Sequence, residues 1–348
     1  MKKQGKLTNN EIASFCRQTS LIIQAGITPA EGMNILIHDT ISSSGKALLE
    51  SISDNCRKGL HFNQSVAETG VFPDYVVNLI ALGEESGNLD NVLASLADYY
   101  EREEDMADSI RSAITYPLIM IAMMFLIIIV LVVKVLPIFK QVFDQLGTQM
   151  SPLATRLMSL GSSLSKYAVV LTIVLFCIVI IAIILYKIPT TNKKIHNLLT
   201  KLPITRDFYN NMASGRFASG MFLSFSSGMD TFHSLDMISQ LVENESMQKK
   251  IELVRNEVQN RSTMPEALAT AQVFSNLYSR MIAVGFTSGS VDVVMKQIAE
   301  HYENATEKQL RRMVAIIEPT LVIVLSLIVG VILLSVLLPL MGIMSSIG

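Results

Sequence analysis

Residues that could do chemistry are few in this sequence. Ser44, Gly45, Lys46 and Ala47 come nearest to a phosphate-binding loop, but Thr40 stands where that loop needs its first glycine, and Ala47 replaces the hydroxyl residue that would hold Mg²⁺. The five histidines are scattered without the His-Glu-x-x-His spacing of a zinc protease. No Gly-x-Ser-x-Gly nucleophile turn occurs either. We therefore expect no enzymatic activity and no cofactor.

A run of carboxylates is the remaining candidate site. It will be called the acidic segment, and it contains Glu101, Glu103, Glu104, Asp105 and Asp108. We expect it to be either a solvated helix face or a charged surface on which a partner docks. A divalent cation site is a third possibility, because hard cations bind several carboxylate oxygens, although the spacing matches no EF-hand loop.

The elements that position these residues follow from where charge is missing. Only 17% of the 348 residues are charged, against about 25% in an ordinary soluble domain. Segments 112–133, 167–186 and 319–348 contain no Asp, Glu, Lys or Arg. Each is long enough to cross a bilayer as a helix of about 20 residues. The composition therefore excludes a wholly soluble protein.

The distribution of basic residues predicts the orientation of these spans. Lys and Arg near the membrane concentrate after the second apolar segment and before the third, and Arg111 precedes the first, which places both large polar regions, 1–111 and 187–318, in the cytoplasm. We predict an inner-membrane protein with a cytoplasmic N-terminus and an extracytoplasmic C-terminus. Its predicted parts are a cytoplasmic bundle (1–111), a first span (112–136), an extracytoplasmic connector (137–166), a second span (167–186), a second cytoplasmic bundle (187–318), a third span (319–341) and an extracytoplasmic tail (342–348).

An internal repeat relates the two cytoplasmic regions. Between positions 72 and 117, fourteen residues are identical to those 202 positions later, where chance gives roughly three. The same offset relates Phe15 to Phe217 and Pro137 to Pro339. Each repeat thus consists of a cytoplasmic bundle and the span after it. Both repeat spans run outward, whereas many transporters have inverted repeats.

The cytoplasmic repeats read as helices. Apolar residues recur at steps of three and four, and no alternating stretch indicates a strand. We predict an all-α membrane protein with two homologous antiparallel bundles, each of about five or six helices, plus three transmembrane helices. No predicted helix face concentrates Lys and Arg, so we expect no nucleic-acid partner.

Two short patterns mark the candidate site residues in each repeat. The first is a Gly-x-x-Ser-Gly turn, interpreted as a tight helix hairpin or else a partner contact. Its residues are Gly83, Ser86, Gly87 and Asp90 in the first repeat and Gly285, Ser288, Gly289 and Asp292 in the second. The second pattern is the membrane entry, at Tyr116 and Pro117 and at Glu318 and Pro319, where each proline is expected to mark the start of a helix.

These patterns together resemble a known family. The doubled Gly-[Glu/Phe]-x-Ser-Gly-x-[Leu/Val]-Asp, followed by Ile114-Thr-Tyr-Pro117, an aliphatic run and Val135-Leu-Pro137, is similar to the type II secretion system F proteins. This family includes the inner-membrane platform proteins of type IV pili and competence pseudopili. The resemblance covers essentially the whole chain.

The resemblance implies a non-enzymatic platform that couples a hexameric cytoplasmic assembly ATPase to the polymerisation of pilin or pseudopilin subunits. Other inner-membrane assembly proteins, membrane lipid and a second or third copy of the chain are the further partners it implies. The acidic segment and the hairpin turns are then candidate surfaces for the ATPase or for self-association. The filament is left open among a secretion pseudopilus, a competence pilus and a type IV pilus.

Two other classes of protein compete with the platform. A transporter or permease subunit would move solute across liposomes, and the parallel repeat and uncharged spans argue against it. A membrane scaffold without an assembly role is the second alternative.

Overall fold

The computed structural model describes residues 6–135, 137, 138, 141 and 203–347, apart from 243. Contacts divide the chain into two compact units. The first comprises Met1–Ser109 and His196–Gln309, and the second comprises Ile110–Ile195 and Leu310–Gly348. The described residues contain helices and turns and no strand, which confirms the predicted all-α class.

The described part of the first repeat contains six α-helices. They are α1 (Asn9–Gln24), α2 (Pro29–Asp39), α3 (Ser43–Arg57), α4 (Phe62–Ala67), α5 (Asp74–Ser86) and α6 (Leu89–Val130), after which Leu131–Val135 forms a short π-helix. The described part of the second repeat contains α7 (Pro203–Ser226), α8 (Thr231–Leu241), α9 (Glu245–Gln259), α10 (Met264–Thr270), α11 (Asn276–Ser288) and α12 (Val291–Ile347).

The helix bounds repeat with the offset of the sequence. α2, α3 and α5 begin and end 202 residues before α8, α9 and α11, and α6 begins 202 residues before α12. The helix starts are set by equivalent caps, since Thr28 accepts a hydrogen bond at the start of α2 and Asp230 does so at the start of α8. The two copies therefore have the same helical plan.

The first compact unit contains two apolar cores that are not independent. The first core gathers buried residues from α1 to α6, and the second gathers residues from α7 to α12. Leu223, Met229 and Met237 come from the second repeat, yet they belong to the first core. Burial of apolar surface therefore joins the repeats within this unit.

One helix among the described residues, α6, is long and apolar enough to span a membrane. Its most apolar 18-residue window has a mean hydropathy of 2.6, and no residue of that window is buried. The second predicted span, 167–186, and most of the connector lie outside the described residues. The third predicted span falls on α12. The three-span topology and the domain boundaries stay predictions.

The prediction that Pro117 and Pro319 begin helices is wrong. α6 begins at Leu89 and holds Pro117 in its interior, and Pro319 lies within α12. A proline inside a helix removes one backbone hydrogen bond, so the carbonyl four residues before it loses its intrahelical donor. Proline also favours first turns, and that preference misled the sequence-based prediction because the helical pattern before each proline continues into it.

Candidate functional site

The Gly-x-x-Ser-Gly residues form the turn between two helices in each repeat. Gly87 ends α5 in the left-handed region, at a φ of 67°, and Gly289 ends α11 at a φ of 71°. The next residue in each turn, Asn88 or Ser290, donates its N–H over 2.9 Å to the carbonyl of Gly83 or Gly285. These bonds are typical of a Schellman motif, in which a residue without a Cβ is strongly favoured at the left-handed position.

The first glycine of each turn lets the following helix approach closely. A Cβ on Gly83 would lie 3.1 Å from the Cα of Leu89, and one on Gly285 would lie 2.9 Å from a methyl of Val294. The hydroxyls of Ser86 and Ser288 donate to the carbonyls of the same two glycines, over 3.4 and 3.3 Å. The turn geometry thus accounts for the glycines and serines of the motif.

The two aspartates that close the motif lie in the first turns of α6 and α12. Asp90 and Asp292 place negative charge near helix N-termini, where it interacts favourably with the positive end of the helix dipole. The backbone carbonyl of Asp90 also accepts a hydrogen bond over 2.8 Å from Ser20 of α1. This bond ties the hairpin to the first helix of its own repeat.

Part of the acidic segment is held by arginines of the same unit. Glu101 accepts two hydrogen bonds from Arg17 of α1, over 3.2 and 2.8 Å, and Asp98 accepts a third from the same guanidinium. The bonds to Glu101 and Asp98 raise the pKa of Arg17 above its ordinary value. Glu101 is therefore engaged within the first repeat.

Glu103 of the acidic segment and the neighbouring Arg102 join the two repeats. The carboxylate of Glu103 accepts two hydrogen bonds from Arg216 of α7, over 3.0 and 2.6 Å, and both side chains are largely shielded from solvent. Two parallel bonds of this kind are strong and geometrically specific. Arg102 faces Glu303 of α12, with its Nε 3.3 Å from Oε1, an ionic contact without hydrogen-bond alignment.

Glu303 lies in a partly buried position between the repeats. Burial raises its pKa above the ordinary value, and the charge of Arg102 opposes that shift. The hydroxyl of Ser219 also donates to its carboxylate over 3.3 Å. Glu303 is the repeat equivalent of Glu101, so the same carboxylate position serves the interior of one repeat and the junction between two.

The remainder of the acidic segment faces outward. Asp105 and Asp108 are exposed and Glu104 is half-buried. Within the residues that the structure describes, no group of three or more His, Cys, Asp or Glu side chains is arranged to hold a metal ion. Glu104 and Asp105 therefore lie on the surface of the described first unit and not in a cluster of metal ligands.

The structure brings together two of the predicted membrane-entry residues. The hydroxyl of Tyr116 donates to Glu318 over 3.2 Å. These two residues are equivalent positions of the repeat, 202 residues apart. Within the second compact unit, α6 and α12 therefore meet at matching positions. Pro117 and Pro319 directly follow the two bonded residues.

Three residues that sequence reasoning missed are central to the first unit. Tyr75 is buried, and its hydroxyl donates over 3.2 Å to the carbonyl of Gly220 in the other repeat. Arg216 pairs with Glu103 over a long sequence separation. Glu84 accepts the first two N–H groups of α4 over 2.9 and 3.0 Å, capping that helix from α5. The only signal for any of them was the position of Glu84 within the Gly-x-x-Ser-Gly turn.

A sequence profile of the family described as type II secretion system (T2SS), protein F, matches the chain twice, over residues 15–137 and 217–339. The two matches are displaced by 202 residues, so they coincide with the repeat of helices and hairpin turns described above. The chain belongs to this family. The resemblance to this family is confirmed, including the duplication.

Relatives of this family member align over nearly its full length. The type IV pilus assembly protein PilC of Thermus thermophilus is 28% identical over 343 residues, covering 97% of this chain and 84% of the relative. PilC of Pseudomonas aeruginosa is 25% identical and covers 99% and 92%. The type II secretion system protein F of Aeromonas hydrophila is 23% identical and covers 96% and 86%.

Proposed function

We propose that this protein is a non-enzymatic platform of the inner membrane that couples a cytoplasmic assembly ATPase to the polymerisation of pilin or pseudopilin subunits. The observation that carries the proposal is the double match to the family over 15–137 and 217–339. Relatives named for type IV pilus assembly and for type II secretion support it, because they align over more than nine-tenths of the chain.

The helical plan gives this role a physical basis. The first compact unit joins both repeats through a shared core and the Glu103–Arg216 pair, so force applied to one repeat is passed to the other. α6 begins in that unit and carries the apolar window that can span a membrane. We place both repeats in the cytoplasm, with spans at 112–136, 167–186 and 319–341, the N-terminus inside and the C-terminus outside.

The ATPase, a hexamer in this proposal, docks on the outward part of the acidic segment. Asp105 is exposed, Glu104 is half-buried, and both precede the first predicted span by less than three helical turns. Glu103 is a poor docking residue because its carboxylate already binds Arg216. Pilin or pseudopilin subunits, other assembly proteins, lipid and further copies of this chain meet the remaining surfaces and the spans.

Deletion of the gene tests the function. We expect the deletion strain to lose surface filaments in electron micrographs, or to lose protein secretion or DNA uptake, and we expect the full chain supplied in trans to restore the lost output. The output that is lost identifies the filament. A deletion strain with normal filaments, secretion and DNA uptake would refute the platform.

Charge reversal tests the docking surface separately. The double variant Glu104→Lys with Asp105→Lys should recover less ATPase in co-purification, because it reverses the outward charge without touching the Glu103–Arg216 pair. The matched control is Glu50→Lys with Asp54→Lys, which reverses two exposed carboxylates on α3. Equal ATPase recovery from the two variants would remove the acidic segment from the proposal and leave the platform role standing.

A further inference from the structure

The contact between the repeats uses two different faces. The α5 face belongs to the first repeat and contains Tyr75 of α5 and Tyr99 of α6. The α7 face belongs to the second repeat and contains Leu223 of α7, Met229 of the following turn and Met237 of α8. Tyr75 marks the contact, because its hydroxyl donates to the carbonyl of Gly220 on α7. The joint is therefore head-to-tail and does not pair equivalent surfaces.

The repeat equivalents of both faces are open. The α11 face of the second repeat corresponds to the α5 face, and Leu277, in the place of Tyr75, is 65% exposed where Tyr75 is 3% exposed. The α1 face of the first repeat corresponds to the α7 face. There Leu21 is 58% exposed where Leu223 is 1% exposed. Each chain thus carries one unused face of each kind.

Both open faces have exposed apolar side chains at positions equivalent to those of the contact within the chain. Val284 and Leu277 are exposed on α11, and Ile35 and Leu21 are exposed on α2 and α1. Contiguous patches of exposed apolar side chains mark interaction surfaces. The equivalents of Leu277, Leu21 and Ile35 are buried in the first core, and Leu82, the equivalent of Val284, is half-buried against it, so the same fold already provides a geometry that covers these positions.

We propose that the α11 face of one chain docks on the α1 face of a second copy, repeating between chains the contact that joins the two repeats within a chain. A head-to-tail contact leaves a free face at each end, so further copies add in the same way until the rotation closes a ring. This self-association does not depend on the motor or the filament in the proposed function.

The charges at the two open faces permit this contact. The pair Glu103–Arg216 of the contact within the chain corresponds to Ala305 and Ser14 between chains, so both charges are absent together and no lone charge is buried. Glu101, which corresponds to Glu303, is paired with Arg17. The contact between chains lacks an ion pair and is expected to be weaker than the contact within a chain.

The shape of the α1 face also suits a protruding side chain. A cleft of about 570 Å³ opens beside α1, and Ser14, Phe15 and Gln18 contribute to its wall. Gln18 is the repeat equivalent of Gly220, whose backbone carbonyl accepts a hydrogen bond from the hydroxyl of Tyr75. A second copy docked in the same way would place Leu277 next to Gln18, at the mouth of this cleft.

Cross-linking between two tagged chains tests the proposal. One full-length chain carries Gln18→Cys and one tag, and the other carries Leu277→Cys and a second tag. Both are expressed in the same cells, and membranes are treated with a short bismaleimide. We expect a covalent dimer that carries both tags. The same chains without added cysteines measure the background from native cysteines such as Cys56.

A matched control uses Leu253→Cys in place of Leu277→Cys. Leu253 is an exposed leucine on α9 of the same repeat, and its equivalent, Ser51, is exposed as well, so this position lies outside the repeated contact. We expect no dimer from this pair. Leu277→Arg should also lower the mass of the purified assembly in light scattering, whereas Leu253→Arg should leave it unchanged.

Several results would overturn the proposal. Dimers formed only between two Gln18→Cys chains or only between two Leu277→Cys chains would show a contact of equivalent faces. Cross-linking of Leu277→Cys to a different protein would assign the α11 face to another partner. A single-chain mass together with no dimer above background would exclude self-association through these faces.

Discussion

The two repeats share one helical plan, but equivalent surfaces meet different surroundings. Tyr75 is buried against the second repeat, while its equivalent Leu277 faces solvent. Leu223 is buried against the first repeat, while its equivalent Leu21 is exposed. Duplication therefore preserved the residues that build each bundle, such as the hairpin glycines, and allowed the contact faces to diverge.

Glu101 and Glu303 show the same difference within a single conserved position of the repeat. In the first repeat Arg17 of α1 holds Glu101, whereas Ser219 stands at the equivalent place in the second repeat. Without an arginine of its own, Glu303 faces Arg102 of the other repeat. Two differences between the repeats accompany this change of role: Ser219 stands at the position of Arg17, and Asn304 stands at the position of Arg102.

The largest expected effect comes from truncating the buried member of the Tyr75 and Leu277 pair. Tyr75→Ala should lower the free energy of unfolding by about 3–5 kcal/mol, because it removes a large buried ring and leaves a cavity. Leu277→Ala should change it by less than about 0.5 kcal/mol at a protein concentration where the chain is monomeric, since within one chain that side chain is mostly in solvent. Pulse proteolysis of the solubilised full chain in urea measures both. Equal losses would contradict the unequal burial of the two faces.

The smallest expected effect comes from making the first repeat resemble the second. Arg17→Ser copies the serine of the second repeat and removes a partly exposed ion pair with Glu101 and Asp98. Because solvent screens such pairs, we expect a loss of about 0.5–1 kcal/mol. The same urea titration measures it, with Glu50→Ser as a control at an exposed position without a pair in the described contacts. A loss as large as that of Tyr75→Ala would show that Arg17 is a main support of the unit.

Patterns in the sequence predicted the two helical bundles, but they did not predict the contact between the repeats, whose residues are far apart along the chain. The Gly-x-x-Ser-Gly turn and the apolar periodicity are visible in the sequence because each depends on residues that are close along the chain. The 202-residue offset is visible because the same residue types recur in the same order. Glu103 and Arg216 are 113 residues apart, and the positions equivalent to them are Ala305 and Ser14, which cannot form an ion pair. The prediction for Pro117 and Pro319 was wrong because a proline in the first turn of a helix and a proline inside a helix differ only in whether the residues before it are helical.

The central claim is that the two repeats work as one joined unit on which filament assembly depends. A charge swap at Glu103 and Arg216 tests it in the deletion strain, with the level of each variant in the membrane measured by immunoblotting. Glu103→Arg and Arg216→Glu should each reduce filaments, because each places two like charges in a shielded contact, and the double variant should restore them. Wild-type filament numbers in both single variants, or no recovery in the double variant, would contradict the claim.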